Sequence, residues 1–385
     1  MRALTFDRRR ESWNDSSGMV MDDVPEPRID ESTDGDDRSQ VLIRVRYTGF
    51  CGTDRGIWGR KSFGDMIEDS LDNDGTDRRT FGHELLGEIV EVGSRVSRKY
   101  GYKPGDMVST ESHIVCGACY QCRRGEFHVC ARDKIIGVTT DGCFAEYVKL
   151  PAKALWKTDL ERIRPEVAAI QEPFGNAVHA CQVTDLRGQT VAILGTGAIG
   201  LFAVLVARGM GAHKVIGIEP DPKNAAMAKR LGCDAVLTPR RAPEDRPFAS
   251  DPELREQVMD LTDGVGVDVA LEMAGFNDSV NNAVRITRRG GKVVLFGVRN
   301  GNATLEDAHR VVMNGLSLHA VIGRRLFGTW EVTQGLLEAT DNGIQKAIWH
   351  EILKEGDAIY DTAEWDRACF ETKLGQHPKA ILRWS

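Results

Sequence analysis

The chain has 385 residues, of which 41% are hydrophobic and 28% charged, and its formal net charge is −7 at pH 7. This length exceeds what one hydrophobic core usually supports, so two domains are expected. The acidic balance leaves no basic excess to neutralise phosphates, which argues against a nucleic-acid partner. No apolar run approaches the ~18 residues of a membrane-spanning helix, and no secretory signal is recognisable. We therefore expect a cytoplasmic protein with no membrane partner.

The first part of the chain is predicted to consist of short, mostly antiparallel strands separated by loops. Its clearest strands are residues 41–47 and 85–92, each of which ends near a glycine. Residues 30–40 and 61–79 are hydrophilic and rich in Asp, Ser, Gly and Arg. Both are predicted to be exposed loops, and the second is also a candidate mobile flap.

Four cysteines within this region form the most specific motif of the sequence. Their spacing of three, three and eight residues lets four thiolates converge on one tetrahedral ion, for which zinc is best suited. A disulfide framework is disfavoured because the chain has nine cysteines, an odd number. Four sulfur ligands leave no open coordination position, so the lobe over residues 111–132 is predicted to be structural. The four cysteines are Cys116, Cys119, Cys122 and Cys130.

From residue 190 onward, short apolar strands alternate with helical segments. The predicted strands are residues 191–194, 214–218, 267–271 and 292–296, and the predicted helices are residues 199–208, 224–231, 252–261 and 278–286. Such alternation is typical of a doubly wound parallel sheet with helices on both faces. The chain is therefore predicted to belong to the α/β class.

A dinucleotide site is predicted where the first of these strands meets its helix. Three glycines in residues 195–200 allow the turn, the approach of backbone amides to a pyrophosphate and the packing of helix on strand. Glu219 lies at the end of the next strand. Its carboxylate can accept hydrogen bonds from both ribose hydroxyls and would repel a 2′-phosphate, so NAD is favoured over NADP. Lys223 could instead tolerate a phosphate. The predicted cofactor-binding residues are Gly195, Gly197, Ile199, Gly200, Glu219, Lys223 and Gly297.

Two segments of the first part place metal-competent side chains at strand or turn ends. One contains Cys51 and Thr53, and the other contains His83 and Glu84. A thiolate, an imidazole and a carboxylate can form an open zinc site with a position for water or a substrate oxygen. A lone cysteine is usually a buried core residue, and a Gly-His-Glu triplet is often only part of a turn. The prediction of a zinc site therefore depends on finding both segments in one chain.

These motifs, in this order, resemble the zinc-dependent medium-chain alcohol dehydrogenase family. Further segments are most similar to the L-threonine 3-dehydrogenases within it, and some features are similar to sorbitol and glucose dehydrogenases. The resemblance implies a mostly β GroES-like catalytic domain over residues 1–166 and 318–385, and a Rossmann NAD-binding domain over residues 167–317. It also implies a homo-dimer or homo-tetramer. The additional segments are residues 112–117, 171–179, 271–275, 323–330 and 381–384.

The resemblance also implies the roles of the site residues and two zinc ions per subunit. Cys51, His83 and Glu172 would hold the catalytic zinc, with Glu84 as a close or exchangeable ligand. Thr53 would accept the proton of the substrate alcohol, and His113 would lie near the zinc pocket and contribute to substrate choice. The implied reaction moves a hydride from a secondary alcohol to NAD, most specifically from L-threonine or a related β-hydroxy amino acid, giving 2-amino-3-oxobutanoate.

The chain departs from the family pattern at Gly56. Many relatives of this kind carry a histidine there, five residues after the first zinc cysteine, and glycine cannot carry the proton that this histidine relays. Sugar and polyol dehydrogenases of the family sometimes lack it too, so a polyol or aldose is the alternative substrate. A non-catalytic dinucleotide-binding protein and a zinc-free quinone reductase are disfavoured, because neither needs Cys51, Thr53, His83 and Glu172 together.

Overall fold

The computed structural model describes residues 1–298 and 302–384. The strands are β1 (Arg2–Asp7), β2 (Val20–Asp23), β3 (Gln40–Phe50), β4 (Arg78–Thr80), β5 (Glu84–Val92), β6 (Met107–Thr110), β7 (His113–Ile114), β8 (Lys134–Ile135), β9 (Tyr147–Pro151), β10 (Leu155–Lys157), β11 (Thr190–Leu194), β12 (Lys214–Ile218), β13 (Ala235–Leu237), β14 (Val267–Glu272), β15 (Thr287–Leu295), β16 (Ser317–Ala320), β17 (Ile359–Asp361) and β18 (Ala380–Arg383).

The α-helices are α1 (Gly52–Trp58), α2 (Gly64–Asp74), α3 (Val96–Tyr100), α4 (Tyr120–Arg123), α5 (Pro165–Ala168), α6 (Gln171–Cys181), α7 (Ala198–Gly209), α8 (Pro222–Arg230), α9 (Pro252–Leu261), α10 (Asn277–Ile286), α11 (His309–Met313), α12 (Gly328–Glu338), α13 (Ile344–Ala347) and α14 (Arg367–Leu374). None of the helices in the described ranges has the length and apolar character needed to cross a membrane. The chain divides into two compact units, one formed by Met1–Pro173 with Ile348–Ser385 and the other by Phe174–Ala347.

The first unit is built on a seven-stranded sheet in the order β10-β6-β5-β3-β18-β17, with β9 also paired to β3. Most of its pairs are antiparallel, and alternate residues of β3, Val41, Ile43 and Val45, are buried in its core. β3 ends next to Cys51 and β5 begins next to His83, while the register places Gly49 opposite Glu84. The sheet therefore brings two distant parts of the sequence to one edge of the unit.

The second unit contains a six-stranded parallel sheet in the order β13-β12-β11-β14-β15-β16. The strand order reverses next to β11, where open α/β sheets bind their ligands. This confirms the predicted α/β doubly wound architecture. The unit extends past residue 317, where we expected the return to the first domain, because Ser317–Ala320 is its sixth strand and α12 follows it.

The prediction of an exposed loop at residues 61–79 is wrong. Most of this stretch forms helix α2, and β4 begins at its end. Ile67 and Leu71 are four residues apart on one helical face, and both are fully buried. Arg79 is also buried, and its Nη2 donates to Asp74 Oδ2 at 2.8 Å. The many acidic residues around Ile67 and Leu71 made this short apolar pattern difficult to recognise in the sequence.

Candidate metal centre and dinucleotide groove

Cys51 lies at the amino terminus of α1 and caps this helix. The backbone amide of Thr53 donates to Cys51 Sγ at 3.2 Å, and Asp54 Oδ2 accepts the amide of Cys51 at 2.9 Å. Burial raises the pKa of Cys51, although the charge of His83 acts in the opposite direction. Ligand atoms of Cys51, His83 and Glu84 all lie within 4.8 Å of one another. The structure therefore brings three of the predicted metal-ligating residues together.

The imidazole of His83 lies between a thiol and a carboxylate. Its Nε2 is 3.1 Å from Cys51 Sγ, and its Nδ1 is 3.7 Å from Asp54 Oδ1. Burial acts to lower the pKa of His83, but the charges of Cys51 and Asp54 outweigh it and raise this pKa well above its ordinary value. A carboxylate behind one ring nitrogen orients the other toward a metal ion, as in many metal sites. The carboxylate of Asp54 therefore acts on His83 through its charge, a contact that the sequence motifs did not reveal.

Glu84 is fully buried and paired with the equally buried Lys379, whose Nζ donates to its carboxylate. Burial raises the pKa of Glu84 to about 7, against the opposing charges of Lys379 and His83. Gly49 makes room for this carboxylate, because a Cβ atom at residue 49 would lie 1.6 Å from Glu84 Oε2. The backbone of β3 therefore packs directly against the carboxylate of Glu84.

Glu172 lies in the first turn of α6 and is almost completely buried. Its Oε1 accepts a hydrogen bond from Ser112 Oγ at 2.7 Å. Glu172 is not a member of the 4.8 Å cluster, but its charge acts on both His83 and Glu84. The carboxylate is therefore within electrostatic reach of the cluster.

The two other predicted catalytic residues have different surroundings. Thr53 is half-buried in the first turn of α1, two residues from Cys51. His113 lies in β7, and its Nδ1 is 2.5 Å from Asp133 Oδ2. Hydrogen bonding to His113 lowers the pKa of Asp133 despite partial burial. The structure does not place His113 in the cluster around Cys51.

The four-cysteine lobe has the geometry of a tetrahedral thiolate site. Cys130 Sγ lies 3.6 Å from Cys116 Sγ and 3.8 Å from Cys119 Sγ. Four thiolates around one zinc ion at ~2.3 Å require sulfur–sulfur distances of about 3.8 Å. The amide of Ala118 helps lower the pKa of Cys116 to about 6, which favours the thiolate. The four cysteines form no disulfide, and the lobe fits a zinc ion.

A cavity of about 880 Å³ opens at the reversal of strand order in the second unit. Gly195, Gly197 and Glu219 line it. Gly195 has φ +86°, and Gly200 packs so closely that a Cβ there would lie 2.0 Å from the carbonyl oxygen of Gly195. The glycine turn therefore has the backbone geometry that the fingerprint predicted.

The carboxylate of Glu219 is fixed by backbone amides. Its Oε2 accepts the amide of Thr196 at 2.6 Å and the hydroxyl of Thr196 at 3.2 Å, while Oε1 accepts the amide of Asp221 at 3.0 Å. Ile199, Lys223 and Gly297 are not among the residues that line the cavity. A Cβ at residue 297 would lie 2.1 Å from the amide of Gly275, so this glycine serves a close backbone approach.

Comparison with known proteins identifies the family. Residues 37–160 match the alcohol dehydrogenase GroES-like domain, and residues 198–341 match the zinc-binding dehydrogenase family. The chain belongs to the zinc-dependent alcohol dehydrogenase family.

Several members of this family are similar to the chain over most of its length. L-threonine 3-dehydrogenase of Pyrococcus horikoshii is 37% identical over 332 residues, 86% of this chain and 87% of that one. The enzyme of that name from Thermococcus kodakarensis is 35% identical over 91% of each chain. Among solved structures, alcohol dehydrogenase TADH from Thermus sp. ATN1 superposes with a TM-score of 0.78 at 24% identity over 100% of both chains. Galactitol-1-phosphate dehydrogenase from Escherichia coli has a TM-score of 0.78 at 22% identity, also over 100% of both chains.

Sequence reasoning about this zinc-dependent dehydrogenase missed the partners behind its candidate ligands. Lys379 is the clearest case, because it immediately precedes the apolar strand β18 and is separated from Glu84 by 295 residues. A lysine beside a buried strand must find a counter-charge, and this signal could have suggested a partner. Ser112 and Asp133 gave no comparable signal.

Proposed function

We propose that this dehydrogenase oxidises the secondary alcohol of L-threonine, or of a related β-hydroxy amino acid, with NAD to give 2-amino-3-oxobutanoate. The observation that carries the proposal is the convergence of Cys51, His83 and Glu84 within reach of the charge of Glu172. The 37% identity to an L-threonine 3-dehydrogenase over 86% of the chain supports this substrate.

We propose Cys51, His83 and Glu172 as ligands of a catalytic zinc ion, with Glu84 exchangeable. A zinc ion at such a site supplies Lewis acidity that promotes ionisation of the substrate hydroxyl. Tetrahedral coordination by the four cysteines of the lobe would hold a second, structural ion. The donor set of one thiolate, one imidazole and carboxylates supports an open site.

The chain's own residues would orient the substrate and move its proton. Asp54 holds the ring of His83, so that Nε2 stays toward the cluster. The Thr53 hydroxyl, two residues from Cys51, would accept the proton of the substrate hydroxyl and pass it outward. A bound nicotinamide dinucleotide would supply the acceptor for the hydride of the carbinol carbon. His113, held by Asp133, is proposed to contribute to substrate choice.

NAD is the proposed dinucleotide. The three backbone and hydroxyl donors that hold Glu219 keep its carboxylate at the groove. A 2′-phosphate at the adenosine ribose would meet this fixed negative charge, whereas free ribose hydroxyls could donate to it. Lys223 does not line the cavity, whereas Arg240 and Arg241 do, so the proposed preference rests on Glu219.

A homo-dimer, or a homo-tetramer built from it, is the proposed assembly. Strand β16 is the last strand in the order of the parallel sheet, and its Leu318 is 38% exposed. Val312, Met313 and Ile322 nearby in sequence are also exposed, between 53% and 79%. An apolar sheet edge of this kind favours pairing with a second copy. Leu318→Glu is expected to shift the protein toward monomers in analytical ultracentrifugation, and an unchanged assembly would contradict this interface.

Polyol or aldose oxidation is the second candidate, and Gly56 favours it. A Cβ atom at residue 56 would lie 2.7 Å from Ser62 Oγ, so Ser62 occupies the space next to the missing side chain. The relay histidine implied by the family resemblance is thus absent, and Ser62 would have to shift to admit a side chain at residue 56.

A screen of NADH formation tests the substrate. We would compare L-threonine, L-serine, 2,3-butanediol, sorbitol, xylitol and glucose at equal concentration with the zinc-loaded enzyme. L-threonine is expected to give the highest kcat/KM. Activity on sugars or polyols without any on L-threonine would overturn the first proposal in favour of the second.

A further inference from the structure

Ser62 places a hydroxyl against α1 at the point where residue 56 lacks a side chain. A Cβ atom on Gly56 would lie 2.7 Å from Ser62 Oγ and 3.0 Å from Ser62 Cβ. Thr53 and Gly56 are three positions apart in α1, so they lie on the same face of the helix. The Ser62 hydroxyl therefore lies beside the helical face that carries Thr53.

The hydroxyl of Ser62 is not used by the fold. Ser62 is half-buried, and within the described residues its side chain forms no hydrogen bond. Most serine hydroxyls away from solvent are hydrogen-bonded to protein or to ordered water. A hydroxyl can accept one proton and donate another, so an unengaged one beside Thr53 can take part in proton transfer.

The segment that carries Ser62 is held in a costly conformation. Arg60 has φ 52° and Phe63 has φ 65°, and such positive values are unfavourable for residues other than glycine. Strained backbone of this kind concentrates at functional sites. The guanidinium of Arg60 lies 4.6 Å from the centre of the Trp13 ring, and the amide of residue 61 donates to the carbonyl oxygen of Gly56 at 2.8 Å. These contacts fold the segment back onto α1 and fix Ser62 there.

We infer that Ser62 replaces the relay histidine and passes the proton of the substrate alcohol from Thr53 to solvent. The inference rests on the proposed oxidation of a secondary alcohol, and it applies to a β-hydroxy amino acid and to a polyol alike. Thr53 gives its own proton to Ser62 Oγ, directly or through one water molecule, as it accepts the proton of the substrate hydroxyl. Ser62 releases its original proton to bulk water, so both hydroxyls are regenerated.

Ser62→Ala tests the relay through the pH dependence of turnover. The variant is expected to lower kcat by about tenfold near neutral pH, on whichever alcohol the wild-type enzyme oxidises fastest. The loss should shrink as the pH rises, because hydroxide then takes the proton from Thr53 without a relay. The solvent deuterium isotope effect on kcat should increase, since proton release becomes slower. NADH formation across a pH series in H₂O and D₂O measures both quantities.

Two further variants supply a hydroxyl or an imidazole at the same place. Ser62→Thr keeps the hydroxyl and should retain the kcat and pH profile of the wild type. Gly56→His combined with Ser62→Gly removes the two atoms that a Cβ at residue 56 would approach and adds a proton-carrying ring. This double variant should turn over faster than Ser62→Gly alone.

Ser39→Ala is the matched control. Ser39 is another half-buried serine of the first unit whose hydroxyl forms no hydrogen bond within the described residues, but it lies outside α1 and the segment that follows it. Its replacement should leave kcat, the pH profile and the isotope effect unchanged. The Kd of NADH and the unfolding temperature should stay at wild-type values in Ser62→Ala and Ser39→Ala.

A Ser62→Ala enzyme with wild-type kcat, pH profile and isotope effect would overturn the relay. An equal loss of kcat at every pH, together with weaker NADH binding or a lower unfolding temperature, would also overturn it, because that pattern indicates a structural role. The comparison uses the alcohol that the wild type oxidises fastest. Inactivity on L-threonine alone would therefore contradict the proposed substrate and not the role of Ser62.

Discussion

Lys379 and Glu84 form a fully buried ion pair at the edge of the candidate metal centre. The two residues lie on neighbouring parts of one sheet, since β18 and β5 both pair with β3. Both charges are removed from water, and their pairing offsets part of the cost of that burial. A carboxylate of the Cys51–His83–Glu84 cluster is therefore paired with a residue 295 positions away in the sequence.

Lys379→Met is expected to destabilise the first unit strongly. It leaves the buried carboxylate of Glu84 without its partner, which costs about 3–5 kcal/mol of unfolding free energy. Urea denaturation of the zinc-loaded protein measures this loss. The control is Lys157→Met. The side chain of Lys157 is 58% exposed and pairs with Asp106. Its loss should lower the unfolding free energy by about 1 kcal/mol or less. Similar losses in the two variants would contradict the assignment.

Adding Glu84→Gln to Lys379→Met provides a second check on the same pair. Neutralising the orphaned carboxylate should recover part of the stability, because the main cost of the single variant is the unpaired charge. Purely additive losses in the double-mutant cycle would instead indicate that packing of Lys379 dominates.

Asp54→Asn is expected to impair catalysis more than folding. The amide keeps the size of the side chain but removes the negative charge that faces His83 Nδ1 at 3.7 Å. Loss of such a partner typically costs 10–100-fold in metal affinity or activity. Zinc affinity by competition with a chelator, measured beside kcat, checks this. Wild-type affinity and kcat together would show that Asp54 does not position His83.

Glu219→Gln is expected to weaken the preference for NAD. The neutral amide no longer repels a 2′-phosphate, and one oxygen acceptor for ribose hydroxyls is lost. The ratio of kcat/KM with NAD to kcat/KM with NADP should fall by about tenfold, mostly through a lower KM for NADP. The control is Asp221→Asn, which also removes one negative charge but at the amino-terminal cap of the neighbouring helix α8. A ratio unchanged by Glu219→Gln would contradict the role of this carboxylate.

Local patterns predicted much of the fold because they depend on neighbours in sequence. The glycine turn at Gly195 and helices α7 to α10 follow from strand, glycine and apolar periodicity within short windows. Helix α2 was missed because only Ile67 and Leu71 mark its buried face among many acidic residues. The edge strand β16 was missed because its exposed residues give it no buried strand pattern.

The candidate site was predictable to the level of ligand types but not of their partners. Cys51, His83 and Glu84 were recognisable from spacing and from family resemblance, and the register of β3 and β5 brings them together. Asp133 beside His113 and Lys379 beside Glu84 depend on tertiary contacts that no local motif encodes. A buried charge in sequence signals that a partner exists without identifying it.

The zinc content of Cys51→Ala, measured together with its NAD reduction, tests the central claim most directly. Wild-type enzyme is expected to hold two zinc ions per chain and the variant one, since the lobe of Cys116 is untouched. NADH formation from L-threonine should fall by at least about 1,000-fold, because several kcal/mol of charge stabilisation are lost. Cys181→Ala, a change of another fully buried thiol, which donates to the carbonyl oxygen of Ala203, should keep both ions. A Cys51→Ala enzyme with two zinc ions and undiminished activity would contradict the proposed catalytic metal centre.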